Sequence, residues 1–340
     1  MGLDLGAIIP ATPRSLDDFR GKSVAIDAFN ALYQFLAIIR QPDGTPLMDS
    51  HRRVTSHLSG LLYRTTNLLQ AAIRPVYVFD GEPPKLKAKT IAARVEVKQR
   101  AEREWQEALE EGDLQRARSK AMQTSRLTAE MVAESKKLME LMGLPWVQAP
   151  SEGEAQASDM AARGAVFAAA SQDYDSLLFG APILLRNLAV TGRRKLPRKN
   201  VYVDVEPEEV DAAAGLASLG LTREQLVDLG ILIGTDFNEG VKGIGPKKAL
   251  NLIRQCATLE GALERLGVDI ENAKELREIF LTPKVITEYS LQWAEPDPEG
   301  IRRLLCDEHD FSAERVGGAI GKMLEVAKLR QQRSLDQWFC

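Results

Sequence analysis

The sequence predicts an α/β fold in which a mostly parallel, twisted sheet is flanked by helices. Short apolar runs alternate with helical segments over about the first two hundred residues, the pattern of parallel strands joined by crossover helices. Several of these runs end at an acidic residue, as strands do when they border a polar crevice at one edge of an open sheet. With 340 residues, the chain can bury a large core, as one extended domain with appendages or as two domains.

The first elements are short buried strands joined to helices. Residues 22–27 predict a strand, and a helix follows it through about residue 39. A helix from about 52 to 71 precedes a second β-rich run at 73–79. Residues 84–126 are charged, helix-forming and interrupted at Gly112-Asp113. Because they carry little apolar surface for a core, they predict an exposed helical insertion.

The rest of the chain returns to strands and then becomes helical. Residues 128–142 predict a helix that Gly143 and Pro145 end. Short apolar runs at 144–148, 164–171, 182–185 and 201–205 predict further strands. From residue 222 onward the chain is mostly helical, with Thr222 and Gln225 as a capping box. A last helix over about 312–330 leads into a short polar tail.

The composition argues against a membrane protein or a secreted one. No apolar stretch approaches the roughly 20 residues of a membrane span, and no signal peptide opens the chain. The three cysteines form no C-x-x-C pair, so we expect a reducing, cytoplasmic compartment. With only three histidines and no zinc signature, oxygen-ligated Mg²⁺ or Mn²⁺ is the metal that the composition favours.

Positive charge is concentrated in two segments, although the net charge is −4. Residues 85–103 hold seven Lys or Arg against two acids, and residues 186–199 hold six with no acid. For nucleic-acid binding, the distribution of charge matters more than its sum. Each run can therefore be a DNA-binding surface or simply a solvated face.

Seven acidic residues follow the apolar runs at five places in the chain. They are Asp27, Asp80, Glu152, Glu154, Asp173, Asp175 and Asp236. Acids at the strand ends of an open parallel sheet project into one crevice, and because crowded carboxylates repel, such a group implies bound cations. Each acid alone has a simpler explanation, as an N-cap after a strand or, in Ser151-Glu152-Gly153-Glu154, as part of a capping box.

Two basic residues extend this pattern to phosphodiester cleavage. Two divalent ions about 4 Å apart can activate water and stabilise a leaving oxygen, and since Mg²⁺ keeps several waters, some acids would act from an outer shell. Lys87 and Arg94 are seven residues apart, so we expect both on one face of the insertion's first helix. There they could hold the scissile phosphate, although a solvated helix face is the simpler explanation of the pair alone.

Several segments resemble the flap endonucleases. They are Val-Ala-Ile-Asp-Ala with Tyr-Gln-Phe-Leu, Val-Phe-Asp-Gly-Glu-Pro-Pro-Lys-Leu-Lys, Ala-Pro-Ser-Glu-Gly-Glu-Ala, Ser-Gln-Asp-Tyr-Asp and Gly-Ile-Gly-Pro-Lys. The resemblance covers essentially the whole chain, with departures at Glu82 and over 105–126. It implies a PIN-like (5′-nuclease) core with a helical arch and a helix–two-turn–helix DNA-binding element. It also implies cleavage of 5′ flaps, with 5′–3′ exonuclease activity, in replication and base excision repair, using two Mg²⁺ per subunit or Mn²⁺ in their place.

The resemblance also implies roles for individual residues. The seven acids match the metal-site acids of the family, and Lys87 and Arg94 match its catalytic basic pair. Tyr33 matches an aromatic residue that stacks on a base beside the cut, and Arg40 matches a residue near the cleaved strand. The helix–two-turn–helix that clamps duplex DNA, with a bound monovalent cation, contains Lys242, Gly243, Gly245, Lys247 and Lys248. Taken alone, that segment can also be a Gly/Pro turn between helices.

The same resemblance divides the chain into regions. Residues 1–99 form an N-terminal nuclease region and 100–126 the helical arch, which begins near 84. Residues 117–258 form an internal nuclease region with the helix–two-turn–helix at about 224–256, and 259–331 form a C-terminal helical region. In the tail, 332–340, the spacing of Gln332, Leu335, Trp338 and Phe339 resembles a box that binds the sliding clamp PCNA, although the aromatic pair can instead fold back on this chain.

Several functional alternatives stay open from the sequence. One is a processive 5′–3′ exonuclease or a junction-resolving relative; the short spacing from Asp80 to Glu152 argues only against relatives with a very long spacer. Others are a non-catalytic, clamp-binding DNA scaffold and a phosphomonoesterase of small molecules; the complete set of acids and the clustered bases disfavour these. Because eukaryotic relatives continue with a basic tail, we expect an archaeal-type enzyme that is monomeric apart from the clamp.

Overall fold

The structure, a computed structural model, describes residues 3–190, 192–195 and 202–336. The strands are β1 (Thr12–Pro13), β2 (Ser23–Asp27), β3 (Arg74–Phe79), β4 (Trp146–Gln148), β5 (Ala168–Ala170), β6 (Ile183–Arg186), β7 (Gly192–Lys195), β8 (Tyr202–Val205) and β9 (Glu208–Asp211). The helices are α1 (Ala28–Ile38), α2 (Ser56–Gln70), α3 (Ala88–Glu110), α4 (Leu114–Ala121), α5 (Ala129–Leu141), α6 (Gly153–Ala162), α7 (Asp175–Leu178), α8 (Ala212–Leu219), α9 (Arg223–Ile233), α10 (Pro246–Cys256), α11 (Leu259–Leu266), α12 (Ala273–Leu281), α13 (Pro298–Arg302) and α14 (Ala313–Asp336). Among these helices, none combines the length and the apolar character needed to cross a membrane.

The central sheet has seven strands in the order β1-β9-β6-β5-β2-β3-β4. Strands β2 to β6 are parallel, and β9 and β1 run antiparallel at one edge, so the predicted mostly parallel sheet is confirmed. The chain proceeds from β2 to β4 on one side and then returns to β5 on the other side of β2. A ligand crevice is expected where the strand order reverses in this way, outside the carboxyl ends of β2 and β5.

Helices cover both faces of the sheet. On β2, Val24 and Ile26 pack into the core that includes α1, α2, α5 and α14, whereas Ala25 packs on the opposite face with α6. Because both faces of these strands are covered, nearly every strand position is apolar. A second core cluster, formed by α7 and α9 to α12, lies beside β6 and contains Phe280 and Leu232.

Four strands depart from the sequence prediction. The run at 201–205 forms β8, which pairs with β7 in a separate two-stranded hairpin rather than joining the main sheet. Strand β7, the edge strand β1 and its neighbour β9 were not predicted; β9, for example, is Glu-Glu-Val-Asp and has no apolar pattern. At the centre of the sheet, β5 consists of three alanines, a residue with low strand propensity whose small side chain leaves room for α6.

The charged insertion forms a pair of packed helices, α3 and α4. Gly112, at φ +73°, occupies the break between them, and the side chain of Asp113 caps α4 by accepting a hydrogen bond from the Arg116 N–H. The small buried side chains of Ala108 and Ala117 lie on these two helices. The two helices of the insertion therefore pack through small buried alanines, and a pattern of large apolar residues in the sequence would not predict this packing.

The last helix, α14, is longer than predicted. It continues to Asp336 rather than ending near 330, because residues 328–336 contain neither Gly nor Pro to stop it. Gln332 and Leu335 therefore lie on helical backbone, whereas Trp338 and Phe339 of the predicted clamp-binding box lie outside the described residues.

Candidate active site

All seven predicted acids lie at the carboxyl edge of the sheet or immediately beside it. Asp27 is the last residue of β2 and Asp80 follows β3. Glu152 and Glu154 lie at the first turn of α6, and Asp173 and Asp175 lie between β5 and α7 or at the start of α7. Asp236 follows α9 and approaches from the second core cluster. The reversal of strand order between β2 and β5 thus lies where the acids are densest.

Burial and mutual repulsion raise the pKa values of most of these carboxyl groups. Burial raises the pKa of Asp27, and the charge of Asp80 raises it further. Burial and then the charge of Glu152 raise the pKa of Asp80 to about 6. Burial and then Asp173 raise the pKa of Asp175 to about 7. The acids on different strands therefore interact with one another within one crevice.

Glu154 and Asp173 connect the two sides of this crevice. Burial, followed by the charges of Asp173 and Asp27, raises the pKa of Glu154 well above its ordinary value. Burial and then Asp236 raise the pKa of Asp173. Acids that come from five separate segments of the chain therefore form one electrostatic unit.

Such a unit is suited to bound divalent cations. The Oδ1 atom of Asp175 is buried and has no hydrogen-bond partner among the described residues, and a positive charge in the crevice would relieve both this atom and the repulsion between its neighbours. No group of three His, Cys, Asp or Glu side chains in the described parts of the chain is arranged to hold a metal ion by itself.

Local hydrogen bonds fix several of the acids in place. The Gly153 N–H donates to Asp80 Oδ1 over 2.6 Å, so Asp80 binds the first turn of α6. The Ser171 hydroxyl contacts Glu154 Oε1 and also accepts a hydrogen bond of 3.3 Å from the Asp173 N–H. These hydrogen bonds fix the positions of acids from different segments relative to one another.

The simpler explanations of the acids hold in part. Asp27 does cap α1, accepting a 3.0 Å hydrogen bond from the Asn30 N–H. The capping box predicted as an alternative for 151–154 is wrong, because α6 begins one residue later than that pattern requires. The Ser151 hydroxyl instead donates to the Glu82 carbonyl over 3.0 Å. Glu154 is consequently free of a capping role and faces Ser171.

The two predicted basic residues both reach the acids. The Lys87 ammonium contacts Glu152 and lies 3.7 Å from Asp236, and Arg94 Nη2 lies 2.5 Å from Asp236 Oδ1. Burial lowers the pKa of Lys87, but Glu152 and its neighbours outweigh this effect and raise the pKa above its ordinary value. One detail differs from expectation: Lys87 ends the short 3₁₀ turn Lys85–Lys87 and precedes α3, which carries Arg94.

Comparisons with known proteins agree with this fold. The XPG N-terminal domain family matches residues 5–101, and the XPG I-region family matches residues 143–236. The chain is 53% identical to flap endonuclease 1 of Pyrococcus furiosus over 341 residues, which cover 100% of this chain and 99% of that protein. It is 52% identical to flap endonuclease 1 of Archaeoglobus fulgidus, with 100% of both chains covered. The structure of flap endonuclease-1 from Methanococcus jannaschii matches with a TM-score of 0.77 and 43% identity, over 97% of this chain and 100% of that one.

The chain belongs to the flap endonuclease family. It is accordingly a structure-specific endonuclease that hydrolyses phosphodiester bonds, in a family of metal-dependent nucleases. The resemblance inferred from the sequence motifs is therefore confirmed over the full length of the chain.

In this flap endonuclease, Tyr33 is exposed to solvent, whereas the Arg40 guanidinium is hydrogen-bonded within the protein. The Tyr33 side chain is exposed on α1, with the Lys98 ammonium 4.7 Å from the centre of its ring. Arg40 is engaged by the protein: it donates to the carbonyls of Leu36 and Gly44, each over 2.8 Å, and to the hydroxyl of Ser125 over 3.1 Å. Stacking by Tyr33 and contact of Arg40 with the cleaved strand both stay predictions.

The predicted helix–two-turn–helix corresponds to α9, the turns at 234–245, and α10. Gly245 precedes α10, whose first residue is Pro246, and Gly243 has a φ of +81° with open space where a Cβ would lie. The ammonium of Lys248 donates to the Gly243 carbonyl over 3.0 Å, and Lys242 and Lys247 are exposed. An exposed glycine turn with lysines beside a helix N-terminus is the arrangement that accepts a phosphate.

Three residues that support the acids were not singled out as site residues from the sequence. Ser171 and Gly153 hold acids through the hydrogen bonds described above, and the side chain of Asn30 contacts Asp173. Asn30 lies three positions after Asp27 at the start of a helix, so the spacing of the two was available as a signal. The contact of Asn30 with Asp173 could not be predicted from the sequence, because the two residues are 143 positions apart.

Proposed function

We propose that this chain cleaves 5′ flaps at the junction of single-stranded and duplex DNA, with 5′–3′ exonuclease activity, during replication and base excision repair. The observation that carries the proposal is the meeting of seven acids with Lys87 and Arg94 in one crevice. Acids alone would fit many metal-dependent hydrolases. The basic pair at the mouth of the crevice adds the charge that a phosphodiester requires.

The residues present fit two Mg²⁺ ions, or Mn²⁺ in their place. We infer that Asp173 and Asp175 bind them directly, supported by the unpartnered Oδ1 of Asp175, and that Asp27 and Glu154 act through bound water. Asp80, Glu152 and Asp236 complete the donor set. When bound, such ions supply activated water and stabilise the leaving oxygen of an in-line displacement.

The basic pair has a role of its own. In the structure Lys87 and Arg94 are held by Glu152 and Asp236. Once these two carboxylates serve as metal ligands, the ammonium and guanidinium groups can bind the oxygens of the scissile phosphate and offset the charge of the transition state. Tyr33, exposed on the neighbouring helix, provides an aromatic face for the base beside the cut.

Duplex DNA is the proposed ligand of the helix–two-turn–helix. Lys242, Lys247 and Lys248 would contact phosphates without reading base sequence, and the backbone around Gly243 and Gly245 would approach the strand closely. A monovalent cation held by this turn is part of the proposal. Together with the arch above the acids, these contacts favour branched DNA over linear duplex.

The function is tested by Mg²⁺-dependent cleavage of a 5′-flap duplex, with nicked and four-way-junction DNA in parallel. We expect wild type to cut the flap preferentially and Asp173→Ala to lose at least about 10²-fold in rate. Lys87→Met should lose about as much, while Lys89→Met, whose side chain is 88% exposed two residues beyond the turn, should cleave as wild type. Equal cleavage by wild type and Asp173→Ala would reject the site.

The C-terminal segment is proposed to bind the sliding clamp PCNA. The support is the spacing of Gln332, Leu335, Trp338 and Phe339 in the sequence. We expect Phe339→Ala to weaken clamp binding strongly and to leave clamp-free cleavage unchanged; an unaltered clamp affinity would contradict the assignment. A monomer apart from the clamp, acting in the cytoplasm of an archaeal-type cell, completes the proposal.

A further inference from the structure

Asn30 contacts two of the seven acids from the first turn of α1. Its backbone N–H donates to Asp27 Oδ1 over 3.0 Å, and its side-chain amide nitrogen donates to Asp173 Oδ2 over 3.2 Å. Asp27 ends β2, whereas Asp173 follows β5. A single residue thus bridges the two strands between which the strand order reverses.

The hydrogen-bonding capacities of the side chains fix the orientation of the Asn30 amide. An ionised carboxylate can only accept hydrogen bonds, so the NH₂ group of Asn30 must face Asp173 and the carbonyl oxygen must face away. That oxygen accepts a hydrogen bond from the side-chain nitrogen of Gln34, one turn further along α1. Gln34, Asn30 and Asp173 therefore form a chain of donors that runs in one direction into the metal-site acids.

The surroundings restrict both amides. Asn30 and Gln34 line a narrow crevice together with Asp27, Ser171 and Gln172, with a volume of about 10 Å³. Asn30 and Gln34 are themselves half-buried, so part of each side chain packs against these neighbours and part faces solvent. The hydrogen bonds of the two amides thus lead to Asp173, whereas those of the basic pair lead to Glu152 and Asp236.

We propose that Asn30 is a positioning residue for the Asp173 carboxylate and that Gln34 acts through Asn30 by fixing its amide. The inference rests on the proposed function, because it takes Asp173 as a metal ligand. Residues that hydrogen-bond to a metal-binding carboxylate set its direction, and their loss commonly weakens metal binding by about 10–100-fold. Asn30 and Gln34 would therefore tune divalent-ion affinity without touching the ion or the DNA.

The test measures Mg²⁺ affinity of the DNA-free protein by calorimetry in a double-mutant cycle. Asn30→Leu removes both polar ends at nearly constant size, and Gln34→Met removes only the far donor. We expect affinity to fall about 10-fold in Asn30→Leu and by a smaller factor in Gln34→Met, with no further loss when Gln34→Met is added to Asn30→Leu. Asn67→Leu and Gln70→Met, exposed on α2, are the matched controls and should bind Mg²⁺ as wild type.

Several results would overturn the proposal. These are an unchanged Mg²⁺ affinity in Asn30→Leu, or independent losses that multiply in the double variant. Melting curves recorded without metal separate positioning from folding, and if Asn30→Leu fails to fold, an unchanged affinity in Gln34→Met decides against the proposal. Flap cleavage by wild type is measured separately, so that failure of the proposed function is distinguishable from failure of this inference.

Discussion

At the scale of single residues, the site depends on contacts that place carboxylates rather than on the carboxylates alone. The seven acids were predictable because each follows an apolar run, a local pattern that can be recognised without knowing the fold. Their supports were not predictable: Gly153, Ser171 and Asn30 are ordinary residues whose contacts with Asp80, Glu154 and Asp173 arise only when distant strands come together.

Gly153→Ala tests how closely α6 must approach Asp80. A Cβ at position 153 would lie 2.6 Å from Asp80 Oδ1, so either the carboxylate or the first turn of α6 must move. We expect Mg²⁺ affinity to fall by about 10-fold, measured by calorimetry on the DNA-free protein. Gly317→Ala on α14, where a Cβ meets open space, is the control and should bind metal as wild type. Normal affinity in Gly153→Ala would show that Asp80 is not held as described.

At the scale of elements, a buried polar chain joins helices that lie away from the acids. Asp49 accepts a hydrogen bond of 2.7 Å from Arg53 and lies 3.2 Å from Nδ1 of His309. The other ring nitrogen of His309 lies 3.3 Å from Glu134. Glu134 also pairs with His57 at 3.0 Å. This chain ties the segment before α2 to α5 and to the segment before α14. Asp49 and His309 are 260 positions apart, so local sequence patterns could not place the two histidines in one network.

The substitution Asp49→Asn tests the contribution of this network to stability. Burial pushes the pKa of Asp49 up, but hydrogen bonds from Arg53 and His309 outweigh it, so the pKa in the folded protein lies below the ordinary 3.8. A pKa that is lower in the folded than in the unfolded protein stabilises the fold at pH values above 3.8. This stabilisation is lost as the pH falls through the folded-state pKa. We expect Asp49→Asn to cost about 1–3 kcal/mol at pH 7 by urea unfolding, with a smaller cost below pH 3.8.

The control for this measurement is Asp17→Asn, since the Asp17 side chain is 77% exposed and pairs with the exposed Arg20. Its effect on the free energy of unfolding should stay within about 0.5 kcal/mol. A cost for Asp49→Asn that does not change between pH 7 and strongly acidic conditions would show that charge at Asp49 is not the source of the stabilisation.

Local patterns also explain which elements could be predicted. Helices α1 and α5 and strands β2 and β3 carry clear periodicity or apolar runs, and their bounds were close to those observed. The predicted capping box of Thr222 and Gln225 is confirmed at the start of α9. Strand β9 is acidic and is held by pairing with β1 and β6, while β8 pairs within a hairpin. For these strands, the partner and not the local sequence decides the structure.

At the scale of the whole molecule, the site lies where two core clusters meet. Five of the acids belong to the sheet and its flanking turns, whereas Asp175 begins α7 and Asp236 follows α9, both in the helical cluster that also carries the predicted helix–two-turn–helix. Arg94 connects that cluster to α3 through its contact with Asp236. The proposed duplex-binding turn and the proposed cleavage site are thus joined through short protein segments, which would let duplex position define the cut.

Lys247→Ala tests the proposed duplex contact. Loss of one phosphate contact should weaken binding of flap DNA regardless of base sequence and should reduce the slope of log K against log salt by about 0.9. Filter binding at several salt concentrations measures the slope. Lys322→Ala, exposed on α14 in the other core cluster, is the control and should keep the wild-type slope. Identical slopes for Lys247→Ala and wild type would remove this lysine from the DNA interface.

The proposed mechanism requires the seven acids to form one site for two divalent ions. Anomalous scattering from crystals soaked in Mn²⁺ tests this most directly, because it locates the ions without relying on activity. We expect two Mn²⁺ peaks in the crevice at the carboxyl ends of β2 and β5, with Asp173 and Asp175 as ligands. A crevice without Mn²⁺ at saturating concentration, in crystals of protein that cleaves flaps with Mn²⁺, would contradict it.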